Sequence, residues 1–159
     1  MTRRPMRNVS KINSYCLLLC VFVVIFDQAA KFSVLAFLTP NSVINVFTGF
    51  NIVLVFNKGT SFGLFMPGIG MIITLTIICL AFLIYMFFKL NNFSERILCS
   101  LVIGGAIGNL LDRFLHGAVV DFIDVYYKDW HWPAFNVADS FISVSIVCLV
   151  IFNLFLVKK

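Results

Sequence analysis

The stretch IGMIITLTIICLAFLIYMFF, residues 69–88, runs for twenty residues without a charge. A helix of that length rises about 30 Å, the thickness of a bilayer's hydrocarbon core. Hydrophobic residues make up 61% of the 159 residues, charged residues 12%, and the mean hydropathy is +1.02. A soluble domain of this size needs far more polar surface. The composition reads as one small integral membrane domain, residues 1–159.

Working outward from that stretch, apolar runs of similar length recur. Four spans are expected, at about 12–38, 69–89, 97–115 and 134–157. Basic residues orient them. Arg3, Arg4, Arg7 and Lys11 precede the first span, Lys89 and Arg96 lie between the second and third, and Lys158 and Lys159 end the chain. These are eight of the twelve basic residues, all on one side of a four-span protein. The positive-inside rule makes that side the cytoplasm, with both termini there. The net charge of +5 is thus a topology signal, which leaves no call for a nucleic-acid partner.

A cleaved signal peptide is the rival reading of the first span. No small-x-small site closes the run, which continues into Asp27 and Lys31, and Leu19 is too bulky for a lipoprotein cleavage box before Cys20. The span is expected to be retained. Cys16, Cys20, Cys79, Cys99 and Cys148 are odd in number and all lie in apolar stretches, so they read as packing residues. The extracytoplasmic segments are then 39–68 and 116–133. In the first, GFNIVLVFNKGTSFGLF alternates β-branched and aromatic residues with Asn and Gly, the pattern of short strands with a turn at Asn57–Gly59. Such an apolar segment is expected to rest on the membrane surface. The second carries Tyr126, Tyr127, Trp130 and Trp132, an interfacial aromatic belt. The expected fold class is all-α membrane protein: four transmembrane helices with a small extracytoplasmic β-rich segment.

Within this apolar background a few polar groups stand out. Counted from the cytoplasmic ends, Asp27 and Asp112 lie about 20–25 Å across and Asp139 slightly further. Three spans thus place carboxylates in one layer, where an unpaired charge costs several kcal/mol and is read as functional. Asp27 and Lys31 are four apart and form either a self-neutralising pair or part of a site. Asn109, Asp112 and Arg113 share a face on which Arg113 could clamp a carboxylate bidentately. Gly104, Gly105 and Gly108 let another helix approach that face. Asn136 and Asp139 share a face at the start of the fourth span. Asp121, just outside the third, reads on its own as a solvated loop residue. His116 and His131 lack a second ligand at metal spacing, so neither a metal nor a cofactor is expected. Two carboxylates in a partly dry site cannot both ionise easily, and Asp121 with Asp139 is the natural pair for acid–base work on a water. A small polar-lined transporter or channel would spread its acids through the membrane, whereas the inner halves of these spans are nearly free of charge. A structural subunit would use the same groups as interhelix glue.

Five blocks carry a more specific signal: Asp27-Gln28-x-x-Lys31, Asn57-x-Gly59-x-x-Phe62, Gly104-Gly105-Ala106-x-Gly108-Asn109-x-x-Asp112-Arg113, Gly117-x-Val119-Val120-Asp121-Phe122 and Phe135-Asn136-x-Ala138-Asp139. Taken in order they resemble the lipoprotein signal peptidase (signal peptidase II) family of bacterial membrane aspartyl proteases. Ala30 departs mildly, since the family commonly has Ser or Thr before the Lys. The resemblance implies a catalytic dyad of Asp121 and Asp139. It implies support by Asn109, Asp112, Arg113 and Asn136, and structural or substrate contacts by Asp27, Lys31, Asn57 and Gly59. It also implies a diacylglyceryl-modified prolipoprotein as substrate, cleaved on the amino side of the lipidated Cys. Membrane lipid is an implied partner and the cyclic peptide globomycin an implied inhibitor. The implied location is the bacterial cytoplasmic (inner) membrane, with the site facing outward.

Overall fold

A computed structural model describes residues 6–40, 42–59 and 68–155, with side chains in the first helix from residue 12 onward. Phe62, the terminal lysines and Arg3 and Arg4 lie outside the described residues. The elements run α1 (Met6–Phe37), β1 (Val43–Phe47), β2 (Phe50–Asn57), α2 (Ile69–Lys89), α3 (Phe93–His116), β3 (Val119–Tyr127), β4 (Trp130–His131) and α4 (Val137–Phe155). All four helices are long and apolar enough to cross a membrane, the first over Ile12–Phe37. The four helices overlap the expected spans, with ends shifted by a few residues.

Helix α3 is the hub. It packs against α1, α2 and α4, whereas α2 packs on α3 and makes no comparable contact with α1 or α4. Its ends are well defined by local chemistry. Asn92 Oδ1 accepts the Ser94 amide at 2.9 Å, and Glu95 sits in the first turn, where the helix dipole favours an acid. At the other end Gly117 adopts φ +68° and its N–H reaches Arg113 O at 3.1 Å. That left-handed turn ends the helix and starts β3 two residues later.

Two glycines on α3 set how closely its neighbours approach. A Cβ on Gly108 would lie 2.6 Å from Asp27 Oδ2 of α1, and one on Gly105 would lie 2.7 Å from Ala138 O of α4. Both are far inside contact distance. The face predicted to be interior is therefore the surface on which α1 and α4 meet α3.

The four strands form one antiparallel sheet in the order β1-β2-β3-β4. Strands were expected only in 39–68, but β3 and β4 come from the other inter-helix segment, 116–133. Tyr126 and Tyr127, read as membrane anchors, are β3 residues, and their ladder to β4 pairs Tyr126 with His131. The Val119-Val120 start of β3 is β-branched and buried on both faces, which suits a central strand. Val120 and Phe122 pack with Leu54 of β2 and Val34 of α1, fastening the sheet to the end of the first helix. The β2–β3 register sets Val55 opposite Asp121 and Asn57 opposite Val119. Asp121 thus leaves the solvated loop in which its sequence setting placed it and becomes 1% exposed.

Candidate active site

The site forms where the C-terminal part of α1, the last turns of α3, the start of β3 and the first turn of α4 converge. It contains two polar groups joined through Asn109.

The first is built around a buried ammonium. Lys31 Nζ lies 2.7 Å from Asp27 Oδ2, 2.7 Å from Asp112 Oδ2 and 3.1 Å from Asn109 Oδ1. Its three protons are matched by three acceptors, which meets the hydrogen-bonding demand of a lysine that is 2% exposed. The surplus negative charge is met by dipoles. Asp27 Oδ1 accepts the Ala138 amide at 2.8 Å, in the first turn of α4, and Asp112 Oδ2 accepts the Val120 amide at 3.0 Å. Gln28 Nε2 adds a bond to Asp112 Oδ1 at 2.8 Å. This group therefore ties α1 to α3, α4 and β3 simultaneously.

The second group holds Asp121 and Asp139. Asn136 precedes α4 and forms a reciprocal cap with Asp139: the Asp139 amide reaches Asn136 Oδ1 at 2.9 Å, and Asp139 Oδ2 faces the Asn136 amide at 3.4 Å. The same Asn136 donates through Nδ2 to Asp121 Oδ1 at 2.7 Å and to Asn109 Oδ1 at 3.1 Å. Asn109 Nδ2 in turn donates to Asp139 Oδ1 at 2.8 Å. The other oxygen of Asp121 accepts Asn57 Nδ2 at 2.9 Å. Asn57 is aimed by its own Oδ1, which takes the Gly59 amide at 2.8 Å in a tight turn with Gly59 at φ +81°.

The two acids have unlike surroundings. Asp121 is buried, and Asp139 is partly open. Loss of water around Asp121 pushes its pKa up to about 6; the amide bonds from Asn57 and Asn136 oppose that rise, and the nearby charge of Asp139 adds to it. Asp139 sits in the first turn of α4 and takes its hydrogen bonds from Asn109 Nδ2 and the Asn136 amide. Close carboxylates in such different settings can divide acid and base roles between them.

Every sequence-derived candidate lies in or beside these two groups, with one difference in role. Arg113 was expected to clamp a carboxylate bidentately. Instead it donates to Asn109 O at 3.1 Å, and among the described residues it has no acid within ion-pair distance. The carboxylate-binding cation of the cluster is Lys31, which reaches Asp112 from another helix. Gln28 is an unforeseen member. So is a separate network on the sheet, where His131 Nδ1 lies 2.8 Å from Asp124 Oδ1 and Asn51 Nδ2 donates to Asp124 Oδ2 at 2.8 Å. Burial opposes the ionisation of Asp124, but these two bonds and the His131 charge hold its pKa below the usual carboxylate range. Among the described residues no group of His, Cys, Asp or Glu is arranged to hold a metal.

Known proteins share this organisation. Residues 19–155 match the family model described as Signal peptidase (SPase) II. The lipoprotein signal peptidase of Thermodesulfovibrio yellowstonii is 43% identical over 133 residues, covering 83% of this chain and 89% of that protein. That of Polynucleobacter necessarius is 40% identical over 141 residues, covering 84% and 85%. A bacterial membrane enzyme solved by the in meso method at 1.9 Å superposes with a TM-score of 0.80 at 34% identity, covering 89% of this chain and 94% of its own. With the family model spanning most of the chain and the fold shared, this four-helix membrane protein belongs to the signal peptidase II family of proteases.

Proposed function

We propose that this protease is of the aspartic type and that Asp121 and Asp139 are its catalytic pair. The observation that carries the reading is Asn136, which bonds Asp121 through its side chain while capping the helix that begins beside Asp139. One residue thereby fixes a strand-borne and a helix-borne acid relative to each other, as a shared water requires.

Asp139, ionised at the mouth of α4, takes a proton from the attacking water. Asp121, holding its proton, donates to the carbonyl oxygen of the scissile bond as the tetrahedral centre forms. As the C–N bond breaks, the proton gained by Asp139 passes to the departing amine and one hydroxyl of the tetrahedral centre returns its proton to Asp121. Bonds to Asn109, Asn136 and Asn57 keep both carboxyls oriented without neutralising them. The Lys31 group lies behind Asn109 and fixes its amide.

The substrate that suits this architecture is a prolipoprotein whose signal peptide is itself a membrane helix and whose lipobox Cys carries diacylglycerol. Cleavage on the amino side of that Cys takes place at the outer edge of the hydrocarbon, the depth at which the acids lie. The segment at 39–68 serves as a lid or cradle over this substrate, although residues 60–67 lie outside the described residues. The protein resides in the bacterial cytoplasmic membrane with both termini inside and is inhibited by globomycin. The polar groups occupy one layer, which favours a site over an ion path.

The test is cleavage of a diacylglyceryl-modified prolipoprotein by purified protein in detergent. Asp121→Asn and Asp139→Asn are each expected to lower the rate by about 10²–10⁴-fold, the contribution of a positioned acid or base. Near-normal activity in either variant would reject the pair. A chelator is expected to leave the rate unchanged.

A further inference from the structure

At the end of the bundle remote from the acids, α1 and α2 stand apart over α3 and leave an open slot of about 320 Å³. Its walls are apolar: Leu17 and Cys20 from α1, Phe87 and Phe88 from α2, and Ile103 from α3. Leu17 and Phe88 at its rim are exposed, so the slot opens sideways into the hydrocarbon. Its size is that of a small-ligand pocket. In a bilayer an apolar slot is filled by apolar chain, and the polar end of this slot selects what that chain is attached to.

Asn13 lines that end and accepts Arg96 Nη1 at 2.7 Å, while the Arg96 Nε–H is taken by Leu90 O at 2.9 Å. The guanidinium also lies over the Phe87 ring, 5.5 Å from its centroid. These contacts hold Arg96 beside Asn13 and Phe87, two residues of the slot's lining. Among the described residues its Nη2 has no acceptor, so one side of the planar fork still presents donors. Lys89 adds a second positive charge at the same end of α2.

We infer that this slot binds an anionic phospholipid of the leaflet remote from the catalytic pair, one acyl chain in the cavity and the phosphate on Arg96. A fixed guanidinium with open donors matches a phosphate in geometry as well as in sign. A basic pocket between membrane helices on this side is the usual form of an anionic headgroup site. The inference is independent of the proteolytic mechanism, because no residue of the slot belongs to either polar group of the active site.

Native mass spectrometry of the purified protein, titrated with phosphatidylglycerol or with phosphatidylcholine of the same chains, tests it. Phosphatidylglycerol is expected to bind about five- to tenfold more tightly, the preference that one or two basic groups near the surface confer. Arg96→Gln should remove that preference while leaving chain binding in place. Leu17→Trp, which fills the rim, should weaken both lipids. Prolipoprotein cleavage by each variant serves as the check on folding, since neither residue lies in the catalytic machinery. Equal affinity for the two lipids, or a preference that survives Arg96→Gln, overturns the inference. Displacement of bound lipid by a synthetic signal-peptide helix, or lipid-independent dimerisation through the slot, assigns it to another occupant and overturns it equally.

Discussion

At the scale of single residues, the site depends on matched hydrogen bonds more than on charge alone. Asp121 illustrates this. With its pKa near 6 it keeps a proton in mildly acidic solution and loses it as the pH rises. The alkaline limb of kcat/KM is therefore expected at an apparent pKa near 6 belonging to the pair. Asn57 donates to the charged form of Asp121, so Asn57→Ala should move that limb to higher pH; a pH–rate profile with an unmoved limb would exclude the contact from catalysis. The stability term has the same origin. A carboxyl whose folded pKa is raised binds its proton more tightly when folded, so its contribution is full below about 4 and is lost as the pH rises through about 6. Lys31 makes a complementary case. Lys31→Met leaves Asp27 and Asp112 buried without their cation, an uncompensated charge that costs about 3–5 kcal/mol. Thermal unfolding in detergent should show a large loss of stability, and an unchanged midpoint would mean that the acids are already neutral.

At the scale of elements, spacing within a helix could be read from the chain, but contacts between helices could not. The glycine-rich face of α3, the Asp27–Lys31 pair and the turn at Asn57–Gly59 are all local patterns, and all are present. The bond from Lys31 to Asp112 joins residues 81 apart in the chain. No local period announces that, which is why Arg113, adjacent to Asp112, looked like the clamp. Gln28 stood in the first signature block, but nothing local showed that it would bond Asp112 from another helix. Strands β3 and β4 were hidden because aromatic residues suit an interfacial belt and a strand equally well. The glycine contacts make a direct prediction. Gly108→Ala should separate α1 from α3 and abolish activity, because its Cβ would strike Asp27. Gly70→Ala, in open space near the start of α2, should be neutral or slightly stabilising. Cleavage assays of the two variants side by side check this, and an active Gly108→Ala protein would mean that the helices can shift without disturbing the site.

At the scale of the whole molecule, the distribution of charge was the most legible property. In the sequence, eight of the twelve basic residues fall on one side of a four-span chain and six of the seven acids, all but Glu95, on the other. That asymmetry predicts an orientation with no knowledge of tertiary contacts. It predicts that a cysteine replacing Lys128, in a background with the native cysteines removed, reacts with a membrane-impermeant maleimide added outside spheroplasts. A cysteine replacing Asn91 should react only after lysis. The reverse pattern would invert the molecule and put the acids on the wrong side of the membrane for the proposed substrate.

The bond between Asp27 and the Ala138 amide bears on how the protein is made. The two residues are 111 apart in sequence, and α4 is the last of the eight elements in chain order. During synthesis α1 enters the membrane long before its partner exists, and Asp27 must wait for α4 with only Lys31 and Gln28 to shield it. Asp139 and its cap arrive on that same late helix. On the proposed assignment, a chain that still lacks α4 holds Asp121 without its partner acid and is expected to be inactive.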